Sequence, residues 1–216
     1  MALNTLPAGA FADSAITSAK INLANNFAFT GTVTGAGAHE KLHSITASNG
    51  DSDWTFSSTY LTSTYDKYFF TFQNILPTND TNYFIARLSF DNGSNYISSG
   101  NYQKVSFEGE QGTSGNATSS RYASAATYMM LTGSSSDQGN ASDEQVNAIA
   151  YFHNNNVDYK ALSFMGNYRY SGGQHAGVYS SHVLKTNQTD RCNNIKFYFN
   201  SGTIVSGKIT LYGVRQ

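Results

Sequence analysis

The sequence predicts an all-β chain, two antiparallel sheets packed face to face, preceded by an extended N-terminal arm. Three observations predict it. From Lys41 onward apolar and polar residues alternate with a period of two, in runs bounded by Gly, Asn, Asp and Ser clusters. The only prolines are Pro7 and Pro77, and no long amphipathic helix interrupts the alternation. Aromatic residues make up 14% of the chain, enough to fill the space between two sheets. Many short alternating strands joined by polar loops read as an antiparallel β-sandwich of the jelly-roll kind over residues 41–216. At 216 residues, one such domain with an appendage accounts for the length.

Residues 1–40 differ from the rest of the chain. They are small and weakly polar, and Asp13 or Ser14 is placed to cap a short helix over residues 15–24. The Thr/Gly alternation of residues 30–35 reads as an extended connector. Neither piece carries enough apolar surface to fold alone, so this arm is expected to order against a partner.

The first strand expected is "KLHSITAS". In "YDKYFFTFQNI" the alternation sets Tyr68, Phe70 and Phe72 on one face against Phe69, Thr71 and Ile75 on the other. "NYFIARLSFD" sets Phe84, Ala86, Leu88 and Phe90 against Arg87 and Ser89, and Asn92-Gly93 then marks a reversal. The remaining strands expected are "NYQKVSFEG", "RYASAATYMMLT", "VNAIAYFH", "KALSFMGNYRY", "HAGVYSSHVLK", "NIKFYFNS" and "KITLYGV". "GEQGTSGNATSS" and "GSSSDQGNASDE" read as polar loops between them, for about ten strands in all.

Charge limits the partners. With 13 basic and 14 acidic residues the net charge is −1, which leaves no excess of cations to hold a phosphate backbone. Charged residues are 12% of the chain, about half the usual share, so the polar surface must come from Ser, Thr, Asn, Gln and Tyr. Cys192 is the single cysteine and excludes an intramolecular disulfide. The N-terminus has neither a basic region nor the apolar run of a secretion signal, and no segment approaches a membrane span of about 20 apolar residues. Five N-x-S/T triplets, at Asn79, Asn92, Asn116, Asn140 and Asn187, are what so Asn-, Ser- and Thr-rich a chain produces by chance.

One motif demands weighing. His39, Glu40 and His43 spell H-E-x-x-H, the pattern of zinc peptidases. That chemistry needs both histidines one helical turn apart with the glutamate beside them. Here Gly35-Ala36-Gly37-Ala38 stands before the motif and "SITASNGD" after it, poor helix material on both sides. On a strand the two histidines share a face but stand about 13 Å apart. The expectation is a chance match at the junction of arm and first strand. His153, His175 and His182 are scattered over different strands, and the turn aspartates, Asp51 and Asp53 among them, are expected to bond their own backbone rather than calcium. No nucleophile elbow, phosphate loop or nucleotide fingerprint occurs, so neither an enzyme nor a cofactor is expected. The surface-recognition candidates are Tyr168, Arg169, Tyr170, Gln174 and His175, gathered around a Gly turn in "GNYRYSGGQHAGVY".

Two regions together carry a resemblance. "LPAGAFADSAITSAKI" resembles the N-terminal phrases of tail-fibre and virion structural proteins of marine and cyanobacterial bacteriophages. The entry strand "KLHSITAS", then "YDKYFFTFQNILPTNDTNYFIARLSFDNGSNY" and the closing "NSGTIVSGKITLYGVRQ" resemble their C-terminal jelly-roll heads. The resemblance implies a homotrimeric, non-enzymatic virion component. Its residues 1–40 would dock on capsid or tail proteins, and its head would project toward a host surface glycan or protein. It also implies localisation on the virion; the balanced charge and the lack of a long apolar run already argue against nucleic-acid binding and membrane insertion. A capsid decoration protein that stabilises the shell is the alternative. A lectin-like carbohydrate-binding module comes after it, and a zinc peptidase last.

Overall fold

A computed structural model describes residues 38–112, 115–133, 138–156, 159–170, 174–185 and 188–215. The chain divides into two units, Met1–Gly37 and Ala38–Gln216. The expected arm, with its helix over residues 15–24, therefore lies almost wholly outside the described residues.

The described residues form twelve strands and no α-helix. In chain order the first six are β1 (His39–Thr46), β2 (Trp54–Phe56), β3 (Lys67–Pro77), β4 (Phe84–Ser89), β5 (Tyr102–Gly112) and β6 (Gly115–Ala126). The others are β7 (Met129–Met130), β8 (Val146–His153), β9 (Ala161–Tyr170), β10 (Gln174–Leu184), β11 (Asn194–Phe199) and β12 (Ile204–Val214). They build two antiparallel sheets, one ordered β1-β12-β3-β8-β9-β10-β5-β6 and the other β2-β11-β4-β7.

Setting aside the hairpins β5–β6 and β9–β10 exposes the plan. The eight strands that remain pair as β1-β12-β3-β8 and β2-β11-β4-β7. The chain alternates between sheets at β1, β2, β3 and β4, and again at β11 and β12. This is the interleaved double Greek key of a jelly roll. The two extra hairpins both add to the same side of the large sheet, beyond β8, and double its width.

Between the sheets lies one aromatic core. Tyr68, Phe70 and Phe72 of β3 point inward, as do Phe84 of β4, Phe164 of β9 and Phe197 of β11. Phe72 makes edge contacts with Phe84, Phe164 and Phe197 at centroid distances of 5.6, 5.6 and 5.2 Å. Such edge-to-face pairs place a ring's positive rim against a neighbour's negative face, each adding about 0.5–1.5 kcal/mol beyond area burial.

Three local expectations are corrected and a fourth, the reversal at Asn92-Gly93, holds. Ile75 faces the core with Phe72, because the ladder between β3 and β8 shifts over Gln73 and Asn74, where Asn74 takes a φ of 53°. "RYASAATYMMLT" is two strands, since the chain leaves the large sheet after Ala126 and enters the small one at Met129. "GEQGTSGNATSS" is mostly strand: β5 runs through to Gly112 and β6 begins at Gly115, a long hairpin whose small hydroxyl residues hide its alternation. Asn92 and Gly93 do reverse the chain, with φ of 58° and 84°, but the next strand crosses to the other sheet instead of closing a hairpin. The three-residue strand at Trp54 is too short to register as a period.

Candidate recognition surface

Alternation divides β5 into Tyr102, Lys104, Ser106 and Glu108, all buried, and Gln103, Val105, Phe107 and Gly109, which face outward. The neighbouring strands divide likewise, and the ladder register aligns their outward residues into rows. Met165, Tyr179 and Phe107 are successive cross-strand partners on β9, β10 and β5. Asn167, Gly177, Gly109 and Thr118 form the next row, and Arg169, His175 and Gln111 the one beyond. Phe107 and Met165 are each 55% exposed and Tyr179 43%. With Val105, Tyr122 and Tyr151, they place nearly all the large exposed apolar side chains of the described residues on this one face.

The middle row is hollow. Gly177 and Gly109 stand directly opposite each other and leave a recess of about 680 Å³ beside Phe107, Met165 and Tyr179. That volume lies within the usual range of small-ligand sites. The recess runs from the aromatic row to the glycine row, about 7 Å along the strands, with Thr118, Ser119 and Ser120 of β6 on its flank. Neither glycine is required by the fold. Neither has the positive φ that favours glycine, and a Cβ built on either meets nothing within 4 Å. Gly166 and Gly213 are different, because a Cβ there meets Ala148 at 2.4 Å and the Tyr65 ring at 2.6 Å. A strand glycine costs roughly 0.5–1 kcal/mol relative to alanine, so two paired ones are a deficit the sandwich itself does not repay.

Beneath this face the sheet is unusually polar. Lys104 and His182 are cross-strand partners on its inner side, as are Ser106 and Ser180. Lys104 Nζ donates to Met130 Sδ at 3.3 Å, and burial pulls its pKa down to about 8. Burial, with the Lys104 charge beside it, pushes His182 down to about 3, so that imidazole is neutral near pH 7.

The five predicted recognition residues are divided by the pleat. Tyr168 lies inside, 1% exposed, with its hydroxyl bonded to Glu108 and accepting the Gly133 N–H at 3.1 Å. Burial holds its phenol far above the ordinary range. Tyr170 and Gln174 are cross-strand partners on the same inner side and are half-buried. Arg169 and His175 do lie on the outer face as partners, and Arg169 pairs with Asp143. Sequence reasoning misses Tyr179, Phe107, Met165 and the two glycines. The signal available is a glycine at the centre of each alternating run, "SFEGEQ" and "HAGVYS".

The H-E-x-x-H run is a strand, but its histidines do not share a face as expected. Leu42 is an extra residue in the β1–β12 ladder, between Lys41 opposite Tyr212 and His43 opposite Leu211. This bulge turns the side chains after it to the other side. His39 packs outside on Phe69 at 5.0 Å, while His43 stacks inside on Tyr60 at 4.2 Å and 11°. Glu40 accepts the Tyr65 hydroxyl at 2.7 Å and pairs with Arg215, contacts that lower its pKa, the Tyr65 bond foremost. Among the described residues no three His, Cys, Asp or Glu side chains gather as a metal site. Asp51 closes its own turn through Ser48 and the Trp54 indole N–H at 2.9 Å. The chain matches no protein-family model, no curated protein and no solved structure.

Proposed function

We propose that this chain is a non-enzymatic surface protein of a bacteriophage particle, a short homotrimeric spike held on the particle by residues 1–40. Its jelly-roll head turns the outer face of β8, β9, β10, β5 and β6 toward a ligand on the host. The observation that carries the reading is the recess over Gly109 and Gly177, flanked by exposed Phe107, Met165 and Tyr179. Apolar side chains gathered on one face of a sheet mark an interaction site. The resemblance to phage heads supplies the particle; a jelly roll alone does not, because that architecture serves capsids, lectins and cupins alike.

Shell decoration is the second reading. It is favoured by β6, a twelve-residue strand whose outer edge has no partner strand among the described residues and which carries no proline and a single charge, Arg121. Such an edge is a ready template for a partner's strand. Gold-labelled antibody on purified particles tests both. Label at the tail supports the spike, label over the capsid supports decoration, and particles without the protein overturn both.

A further inference from the structure

We infer that the outer-face recess binds a neutral saccharide, its ring stacked on Tyr179 and Phe107 and seated over the paired glycines. This rests on the reading of the outer face as the recognition surface and assigns its ligand class. Gly109 and Gly177 are the first ground. Their backbone is ordinary and the space outside them is empty, so their missing side chains matter only to something that approaches from outside. Two such gaps as direct cross-strand partners make one seat.

The seat's surroundings select the occupant. Asn167 and Thr118 close the ends of the glycine row and offer an amide and a hydroxyl. Tyr179 and Phe107 stand on one side as exposed aromatic faces, with Gln111 and His175 on the other. Apolar ring faces with hydroxyl- and amide-bonding groups beside them complement a pyranose, which has C–H faces and hydroxyl edges. Charge excludes the acidic sugars. Among the described outward-facing residues of β8, β9, β10, β5 and β6 the one formal charge is Arg169, and Asp143 pairs with it. A sulfated or sialylated glycan, like a nucleic acid, would find no free cation there.

The test uses the full chain. It is screened against arrayed neutral oligosaccharides of glucose, mannose and galactose, with sialylated and sulfated glycans as controls, and the best neutral binder is taken on to calorimetry. Gly177→Val and Gly109→Thr fill the seat with strand-favouring residues, so each is expected to hold or raise Tm while weakening binding at least tenfold. Tyr179→Ala is expected to weaken it comparably. Binding restricted to charged glycans, no binding to any neutral oligosaccharide, or binding unchanged by both glycine variants would overturn the inference. So would a purified oligomer that Gly177→Val dissociates, because the recess would then be a contact between copies. Particle labelling is independent: a labelled particle with no sugar binding sinks the ligand class alone, and sugar binding by a protein absent from particles sinks the spike alone.

Discussion

His39 and His43 lie on one strand and on opposite faces of one sheet, separated by the bulge at Leu42. Two ligands on opposite faces of a backbone cannot close on one ion. Excess zinc is therefore expected to leave Tm unchanged, because an ion without a folded-state site contributes no binding energy to stability. His43→Ala is expected to cost about 1 kcal/mol, the worth of its stacking on Tyr60. The loss should be equal with and without chelator in urea titrations. A zinc-dependent Tm that vanishes with His43→Ala would return the peptidase pattern to consideration.

Tyr168 is a strut of the fold. Its hydroxyl bonds Glu108 on β5 and the N–H of Gly133, deep in the protein. Tyr168→Phe keeps the ring and removes both bonds, so it is expected to destabilise by about 1–3 kcal/mol. A neutral effect in chemical denaturation would mean that the buried hydroxyl is not a stabilising partner.

His182 sets a pH dependence. Its folded pKa is about 3 against an ordinary 6.5, so the unfolded chain takes up the proton first as pH falls. The His182 contribution to stability is then complete above pH 6.5 and drains away below it, by at most about 1.4 kcal/mol per pH unit. Lys104, its cross-strand partner, works in the same direction at higher pH. Its folded pKa is about 8 against 10.5, so burying its charge opposes folding below pH 8, and stability rises between there and pH 10.5. His182→Gln should flatten the slope between pH 6.5 and 4.5, and Lys104→Met the slope above pH 8. Slopes identical to the parent's in both windows would contradict the assignment.

Cys192 is fully buried, with its N–H donating to Asn154 Oδ1 at 2.8 Å. Burial pushes its thiol up to about 12, so thiolate is scarce at neutral pH. A thiol reagent at pH 8 is expected to leave the native protein unmodified and to label it once in denaturant. Rapid native labelling would show that the segment around Cys192 opens.

Much of the fold is readable because strand alternation is local. "VNAIAYFH" coincides with β8, and β9, β10 and β12 lie within a few residues of the runs that forecast them. The candidate surface is half readable. Arg169 and His175 stand out by their setting, but Tyr168 groups with them in sequence although the next position along a strand points the other way. Phe107 and Tyr179 lie far apart in the chain, and only the β5–β10 ladder makes them partners.

By itself, then, the sequence determined that the chain is built of strands, which residues alternate along each one, and that the polar surface is short of charge. Each is a property of neighbours along the chain or of composition. The tertiary structure alone decided that β1 pairs with β12, that β5 and β10 are adjacent, and that a one-residue bulge separates two histidines. Ladder pairing joins segments far apart in sequence, and a bulge is settled by the partner strand it must match. The glycine recess depends on both: "EGE" and "AGV" stand in the sequence, but a seat exists only where register brings Gly109 and Gly177 face to face.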